Sequence, residues 1–212
     1  MSRARATKRL VCTIDMHIAL LGDSIFDNSA YTRGEPDVIT LLRALLADGD
    51  AATLFARDGA TTSDIARQLR QLPSDVSHIA MAIGGNDAIR SIDLLTQRVS
   101  TAGEALLCFD DRLAEFERNY QTALTQVLLL KQPTCVCTIY NGLFDGDQAR
   151  MIRRALAMFN DVIIQAAFAA GVGVIELRQV CTDAADYANP IEPSGRGGLK
   201  IARAIAAHHL RK

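Results

Sequence analysis

Residues 17–28 read HIALLGDSIFDN, a mostly apolar run that turns polar after its glycine. A short apolar run that ends in Gly22 is typical of a buried strand. Glycine lets the backbone turn tightly, so Ser24 can project its hydroxyl over the end of that strand. The same residues have an ordinary explanation, because Asp, Ser and Asn are preferred helix N-caps. Taken alone, this stretch favours the cap.

Four further strand patterns follow along the chain and alternate with helical patterns. Strands are predicted over 17–21, 51–56, 78–83, 134–140 and 172–177. Helices are predicted over 36–47, 62–72, 102–131, 148–170 and 194–209, where apolar residues recur at helical spacing. Such alternation indicates an α/β fold, with right-handed crossovers and a parallel sheet covered on both faces. Parallel sheets bind ligands outside the carboxyl ends of their strands, so the residues after each strand are the ones to examine.

The second and third strands are also followed by glycine-containing turns. Gly59 follows the second strand, and at such a position a backbone N–H can approach a ligand and donate to an oxyanion. Residues 84–87, Gly-Gly-Asn-Asp, follow the third strand, and the side chain of Asn86 can donate a hydrogen bond without carrying charge. Turn glycines and helix caps would explain each motif equally well when it is considered alone.

The chain resembles the SGNH (GDSL-like) hydrolase family over essentially its whole length from His17 onwards. The resemblance is carried, in this order, by the motif at 22–24, by Gly59 and by the motif at 84–87. The resemblance implies a flavodoxin-like, three-layer α/β/α sandwich with a five-stranded parallel sheet. It implies that Ser24 is the nucleophile and that the Ser24 N–H, Gly59 and Asn86 form the oxyanion hole. It also implies hydrolysis of esters, thioesters or acyl and acetyl groups on small-molecule substrates, without a metal or cofactor.

The last motif departs from the family pattern. The family has Asp-x-x-His just before its final helix, and here the matching stretch has Asn189 and Glu192 in those two places. The proton acceptor for Ser24 and the carboxylate that usually orients it are therefore both in question.

The chain has only four histidines, and none is expected to replace the missing one. His17 and His78 begin strands, which puts them roughly 13–20 Å from the edge that carries Ser24. His208 and His209 end the last helix, roughly 20 Å from its start. Strand-edge positions and a cation at a helix C-terminus are ordinary places for such residues.

Glu192 is the remaining candidate for the base. A carboxylate with an ordinary pKa of about 4.3 is a poor base for a hydroxyl, but burial can raise that pKa. A structural role at a helix N-terminus is the alternative. Of the other carboxylates, Asp23 is expected to bond loop backbone, Asp27 to cap the turn or line the pocket, and Asp186 has no position that the sequence predicts.

A flexible loop is predicted after the fourth strand, at 141–146. Asn141 and Phe144 of this loop, together with Asp23 and Asp27, are the candidate substrate-binding residues. Phe144 could wall an acyl site, or it could be a buried aromatic residue in an ordinary connection.

Composition narrows the class of protein. The chain has 212 residues, which suits one domain, predicted over 17–212 after a basic extension over 1–16. A net charge of -1 argues against a nucleic-acid partner.

No apolar run approaches the roughly 18 residues of a membrane span. The five cysteines lack the spacing of a zinc site. A cytoplasmic location is expected, and nothing in the sequence indicates a homo-oligomer.

Two functions from different classes fit these observations. The favoured hypothesis is a serine esterase or acyl hydrolase. The alternative is a non-catalytic module that binds acyl groups or carboxylates and retains the pocket without a competent base. A histidine supplied by a neighbouring subunit is a weaker third hypothesis.

Overall fold

The computed structural model describes residues 16–210, which form an α/β fold. The five strands are β1 (His17–Gly22), β2 (Ala51–Leu54), β3 (His78–Ala82), β4 (Thr134–Cys137) and β5 (Gly173–Ile175). They make one sheet in the order β2-β1-β3-β4-β5, and every neighbouring pair is parallel. This is the flavodoxin-like order, and it confirms the fold predicted from the sequence.

Helices cover both faces of the sheet. They are α1 (Val38–Arg43), α2 (Ile65–Leu69), α3 (Gly85–Ile89), α4 (Ala102–Leu107), α5 (Asp110–Leu128), α6 (Gly146–Ala169), α7 (Leu177–Val180) and α8 (Gly195–His209). Helix α1 packs against α8, and α5 packs against α6. Alternate residues of β1 serve the two faces, because Ile18 and Leu20 enter one hydrophobic core while Ala19 and Leu21 enter the other.

The single helix predicted over 102–131 is wrong, because the chain forms α4 and α5 with a break at Cys108 and Phe109. Asp110 and Asp111 occupy the first turn of α5, where carboxylates stabilise a new helix N-terminus. The break allows Phe109 to be buried, whereas Leu106 and Leu107 of α4 are exposed.

The strands predicted to end at 56, 140 and 177 are shorter in the structure and end at Leu54, Cys137 and Ile175. The residues after each of them leave the sheet to build loops and short helices over its edge. Helix α7 follows β5 in this way, and the short helix α3 follows β3; neither was predicted from the sequence.

The strand order places the candidate motifs together. Strand β1 lies between β2 and β3, so the chain leaves β1 towards one side and returns on the other. Ligands bind in the crevice at such a switch point, outside the carboxyl ends of the strands. Ser24 follows β1 and Asn86 follows β3, and the N–H of Asp23 donates to the carbonyl of Ala82 at 3.1 Å.

Gly22 is the glycine on which this close approach depends. It has a φ of +139°, and a Cβ added there would lie 1.8 Å from the carbonyl oxygen of Ala82. Gly22→Ala is therefore expected to lower the free energy of unfolding by more than about 3 kcal/mol. Gly34→Ala is the matched control, since Gly34 has a φ of +91° and an added Cβ would meet nothing within 4 Å. It should cost only about 1–2 kcal/mol. Chemical denaturation measures both, and similar losses would contradict the collision with Ala82.

The predicted basic extension lies outside the described residues except for Met16, so its boundary stays a prediction. Met16 is buried, and its N–H donates to Oδ1 of Asp50 at 2.8 Å. Within residues 16–210, no helix combines the length and the apolar character needed to cross a membrane.

Candidate active site

The turn that carries Ser24 is held by an amide side chain below it. The N–H of Gly22 donates to Oε1 of Gln68 at 2.8 Å, and Nε2 of Gln68 donates to the carbonyl of Gly22 at 2.7 Å. Gln68 is fully buried, and it satisfies both backbone groups of Gly22, which would otherwise be unpaired at the strand end. This role of Gln68 was not predicted from the sequence. The feature that could have indicated it is a polar residue on the same helix face as the apolar Ile65 and Leu69.

Asp23 lies under the turn with its carboxyl group buried. Its Oδ1 accepts a hydrogen bond from the N–H of Ile25 at 3.1 Å, as expected of a residue that bonds loop backbone. The pKa of Asp23 is raised to about 7, chiefly by burial and also by the nearby charges of Glu192 and Asp87, while the N–H of Ile25 opposes the increase. Asp23 is thus a protonatable group at neutral pH beside Ser24, and it also lines the cavity described below.

Ser24 and Glu192 are brought together by the fold. Both line the same cavity, and the Ser24 hydroxyl lies near enough to the Glu192 carboxyl group to lower its pKa. Glu192 is only 4% exposed, and burial raises its pKa to about 7, against this lowering effect of Ser24. The charge of Asp58 adds to the increase. Among the described residues, Oε2 of Glu192 has no hydrogen-bond partner. The arrangement therefore pairs a hydroxyl with a carboxyl group that ionises near neutral pH.

The loop around Glu192 is held by the side chains of Asn189 and Tyr140. Oδ1 of Asn189 accepts hydrogen bonds from the N–H groups of Ile191 and Glu192, at 2.9 and 3.0 Å. Asn189, which occupies the family's Asp position, therefore orders the backbone of Glu192. The hydroxyl of Tyr140 donates to the carbonyl of Ile191 at 2.5 Å.

Asn28 links this loop to the start of α1, a few residues after the turn that carries Ser24. Its Nδ2 donates to the carbonyl of Pro193 at 3.1 Å, and its Oδ1 accepts from the N–H of Val38 at 3.1 Å. Asn28 is fully buried, so loss of either bond would leave an unpaired polar group. Neither Asn28 nor Tyr140 was predicted to have a role. The place of Asn28 four residues after Ser24 was the only sequence signal for it.

The two other candidate oxyanion donors occupy different environments. Asn86 lines the cavity, and its Nδ2 donates to the carbonyl of Ala60 at 2.9 Å, which ties it to the loop after β2. An amide NH₂ has a second hydrogen to offer a ligand. Gly59 is exposed with a φ of +77°, and it is not among the residues that line the cavity. Their catalytic roles stay predictions.

Asp87 joins the loops that carry these two residues. It accepts hydrogen bonds from the N–H and the hydroxyl of Thr62, at 3.1 and 2.7 Å. Burial raises the pKa of Asp87 despite these bonds. The loops after β2 and β3 are therefore fixed relative to each other at the edge of the site.

The candidate substrate-binding residues are divided between two sides of Ser24. Asn141 and Phe144 line the cavity with Asp23. Asp27 is not among the lining residues, and its Oδ2 accepts a hydrogen bond from the N–H of Asp58 at 3.0 Å. The loop after β4 thus contributes one wall, whereas Asp27 belongs to the polar rim outside it.

The four histidines lie at the opposite edge of the sheet, as their sequence positions predict. His17 begins β1, with Nε2 2.9 Å from the hydroxyl of Thr53 and Nδ1 3.1 Å from a carboxylate oxygen of Asp75. His78 begins β3, and its ring contacts that of His209 at 5.1 Å between centroids. His208 and His209 end α8. None of these residues lines the cavity beside Ser24.

Asp186, the remaining candidate acid, is also turned away from the cavity. It is fully buried, and its Oδ2 accepts a hydrogen bond from Nζ of Lys200 at 2.6 Å. Its carboxylate also forms the capping box of the short turn at Ala184–Asp186, with the N–H of Asp183 donating at 2.9 Å. Asp186 therefore stabilises the approach to α8.

Comparisons with known proteins agree with this fold. A family model described as the GDSL-like lipase/acylhydrolase family matches residues 20–197. A lipase from a goat rumen metagenome has a similar structure, with a TM-score of 0.70 and 18% identity over 91% of this chain and 97% of that one. A phospholipase A1 from Streptomyces albidoflavus has a TM-score of 0.67 and 18% identity over 92% and 99%. An acetylxylan esterase from Geobacillus stearothermophilus has a TM-score of 0.65 and 18% identity over 93% and 95%.

A comparison with curated protein sequences finds no match. The structural likenesses, all at low identity, establish the shared fold. The family model covers most of the chain, including the motifs that carry Ser24, Gly59 and Asn86. The chain therefore belongs to the GDSL-like lipase/acylhydrolase family, which places it among the carboxylic ester hydrolases.

Proposed function

We propose that the chain hydrolyses carboxylic esters with Ser24 as nucleophile and Glu192, in place of a histidine, as proton acceptor. The observation that carries this proposal is that Ser24 and the Glu192 carboxyl group are neighbours in one cavity, with the pKa of Glu192 raised to about 7 by burial. A base works best when its pKa lies near the operating pH. An ordinary carboxylate would be too weak, whereas a buried one near 7 resembles the histidine it replaces in proton affinity.

The reaction has two matched halves. Ser24 Oγ attacks the acyl carbonyl while its proton moves to Glu192, and the resulting oxyanion accepts hydrogen bonds from the Ser24 N–H, the Gly59 N–H and Asn86 Nδ2. Glu192 then returns the proton to the leaving oxygen, and the alcohol departs from an acyl-serine. In the second half, water attacks the carbonyl carbon of the acyl-serine while Glu192 takes a proton from it. Glu192 then gives this proton to Ser24 Oγ as the bond to the acyl group breaks. The acid is released and Ser24 is restored.

The charges around the site favour a neutral ester over an anionic ligand. Glu192 and Asp87 raise the pKa of Asp23, and Asp58 raises that of Glu192, so the site has a negative potential. A carboxylate ligand would be repelled by these groups. A module that binds carboxylates without hydrolysing them is therefore the weaker proposal, and the acid product should leave readily.

A cytoplasmic location remains part of the proposal. The four cysteines among the described residues, Cys108, Cys135, Cys137 and Cys181, are all free thiols. Free thiols are the usual state of cysteines in a reducing compartment.

Phosphonylation of the intact protein tests the nucleophile directly. An alkyl p-nitrophenyl phosphonate should release p-nitrophenol and leave one phosphonyl group on Ser24, located by peptide mass mapping. Ser91 is the internal control, because it lines the same cavity but its hydroxyl donates to the carbonyl of Asp87. Ser91→Ala should be labelled like the wild type. A protein that is not labelled at Ser24 would rule out an activated serine.

A further inference from the structure

An apolar cavity begins beside Ser24 and enters the core of the protein. Its volume is about 260 Å³. Its polar lining residues, including Ser24, Asn86, Asn141 and Glu192, belong to the segments that follow the strands, with Asn86 in the first turn of α3. Its deeper lining comes from Phe109, which lies between α4 and α5, from Ile139 after β4, and from apolar side chains of α6.

The deep walls are buried core residues. Ile139, Phe109 and Phe159 line the cavity and belong to the hydrophobic core between the sheet and α5 and α6. Phe159 is only 2% exposed, so the cavity reaches well below the surface. Protein cores are normally close-packed, and a space lined by such residues favours an apolar occupant over water.

The mouth of the cavity is apolar as well. Ile89, Ile92 and Ile191 line the cavity and are 44%, 53% and 41% exposed. Exposed apolar side chains grouped around an opening are typical of a site that receives an apolar ligand.

The size of the cavity indicates the length of that ligand. A dry cavity of about 150 Å³ holds benzene, so by proportion a space of about 260 Å³ holds an apolar group of about ten carbon atoms. An acetyl group would leave nearly all of it empty.

We infer that this cavity receives the acyl chain of a medium-chain ester, with the carbonyl at Ser24 and the chain directed towards Phe159. The inference rests on the proposed function and names its substrate class. The alcohol side of the ester then faces the polar rim, where Asp27 and Asp58 lie. With this orientation the acyl chain stays in the cavity after the first half of the reaction, while the alcohol leaves and a water molecule takes its place.

Filling the cavity tests the inference. Ala155 lines the cavity from α6, whereas Ala157 is exposed on the same helix and does not line it. Wild-type protein should hydrolyse p-nitrophenyl octanoate with a kcat/KM at least 10-fold above that for p-nitrophenyl acetate, through burial of the added methylenes. Ala155→Phe should remove this preference, so that the kcat/KM for octanoate falls to about that for acetate. Ala157→Phe, the matched control, should retain it.

Two further measurements separate the inference from the proposed function. Decan-2-one, a neutral ketone with an eight-carbon chain, should raise the Tm of wild-type and Ala157→Phe protein but not of Ala155→Phe. The increase in Tm is expected even if no ester is hydrolysed. In that case the proposed function fails, but the inference about the cavity stands. Methyl octanoate should be hydrolysed faster than octyl acetate.

Three results would overturn the inference while leaving the esterase intact. They are equal kcat/KM values for acetate and octanoate in wild-type protein, a chain-length preference that survives Ala155→Phe, and faster hydrolysis of octyl acetate than of methyl octanoate.

Discussion

Ser24→Ala is expected to lower kcat/KM for p-nitrophenyl butyrate by at least about 10³-fold, because removing a serine nucleophile stops the covalent route altogether. The hydroxyl is half-buried at the mouth of the cavity, so its loss should change the Tm little. Initial rates at matched protein concentration, together with thermal unfolding, measure both quantities.

Ser91→Ala is the matched control for this experiment. Ser91 lines the same cavity, but the proposed mechanism gives it no role, so kcat/KM should change less than about 3-fold, as for a surface or neutral substitution. If Ser24→Ala hydrolysed the ester at the wild-type rate, the nucleophile would lie elsewhere. If the wild-type protein bound esters without any turnover, the binding-module hypothesis would replace the esterase.

Glu192→Gln is expected to lower kcat/KM by about 10²- to 10⁴-fold, the usual contribution of a general base. Glutamine keeps the size of the side chain and can still bond to Ser24, but it cannot accept the proton. Wild-type kcat/KM should also fall as the pH falls through about 7, because only ionised Glu192 acts as a base. Since the pKa of Asp23 is also raised to about 7, the midpoint belongs to the two groups together.

The same variant should be more stable than the wild type at pH 8. The pKa of Glu192 is raised from 4.5 to about 7 in the folded protein, so the fold loses stability as the pH rises between these values. Glu192→Gln removes that cost, which is of the order of 3 kcal/mol above pH 7 and absent below about pH 4. Thermal unfolding at pH 4 and pH 8 measures the difference. Lost activity with unchanged or lower stability at pH 8 would point to a structural role for Glu192.

Restoring the family's residues provides a gain-of-function control. Asn189→Asp combined with Glu192→His recreates the Asp-x-x-His pattern on the same loop. Because Tyr140 and Asn28 hold this loop through the carbonyls of Ile191 and Pro193, the backbone should tolerate the exchange. The double variant should recover activity relative to Glu192→Gln. A double variant as inactive as Glu192→Gln would show that the loop does not present position 192 to Ser24.

Much of the fold could be predicted from local patterns. The alternation of strands and helices implied the parallel sheet, and the glycines after β1, β2 and β3 marked the edge where the site would form. The break between α4 and α5 could not be predicted, because the apolar spacing runs on through Cys108 and Phe109. The two hydrogen bonds between Gln68 and Gly22 could not be predicted either, since the partners are backbone groups 46 residues away.

The cavity was beyond sequence analysis for a related reason. Phe109 and Phe159 have the spacing of core residues on amphipathic helices, and in the structure they are core residues. An apolar side chain that packs against another and one that borders a cavity produce the same pattern. Only the relative placement of Phe109, α6 and the loop after β4 leaves the space open.

The sequence by itself determined which residues could take part in the chemistry. It put Ser24 and Asn86 after strands, Glu192 where the family has histidine, and every histidine at the far edge of the sheet. Tertiary structure alone decided what Glu192 can do there. The pKa of a carboxyl group depends on how completely its surroundings exclude water and on the charges nearby. For Glu192 those surroundings come from Ser24, Asp58 and the closed loop around it, which are distant in sequence and meet only in the folded chain.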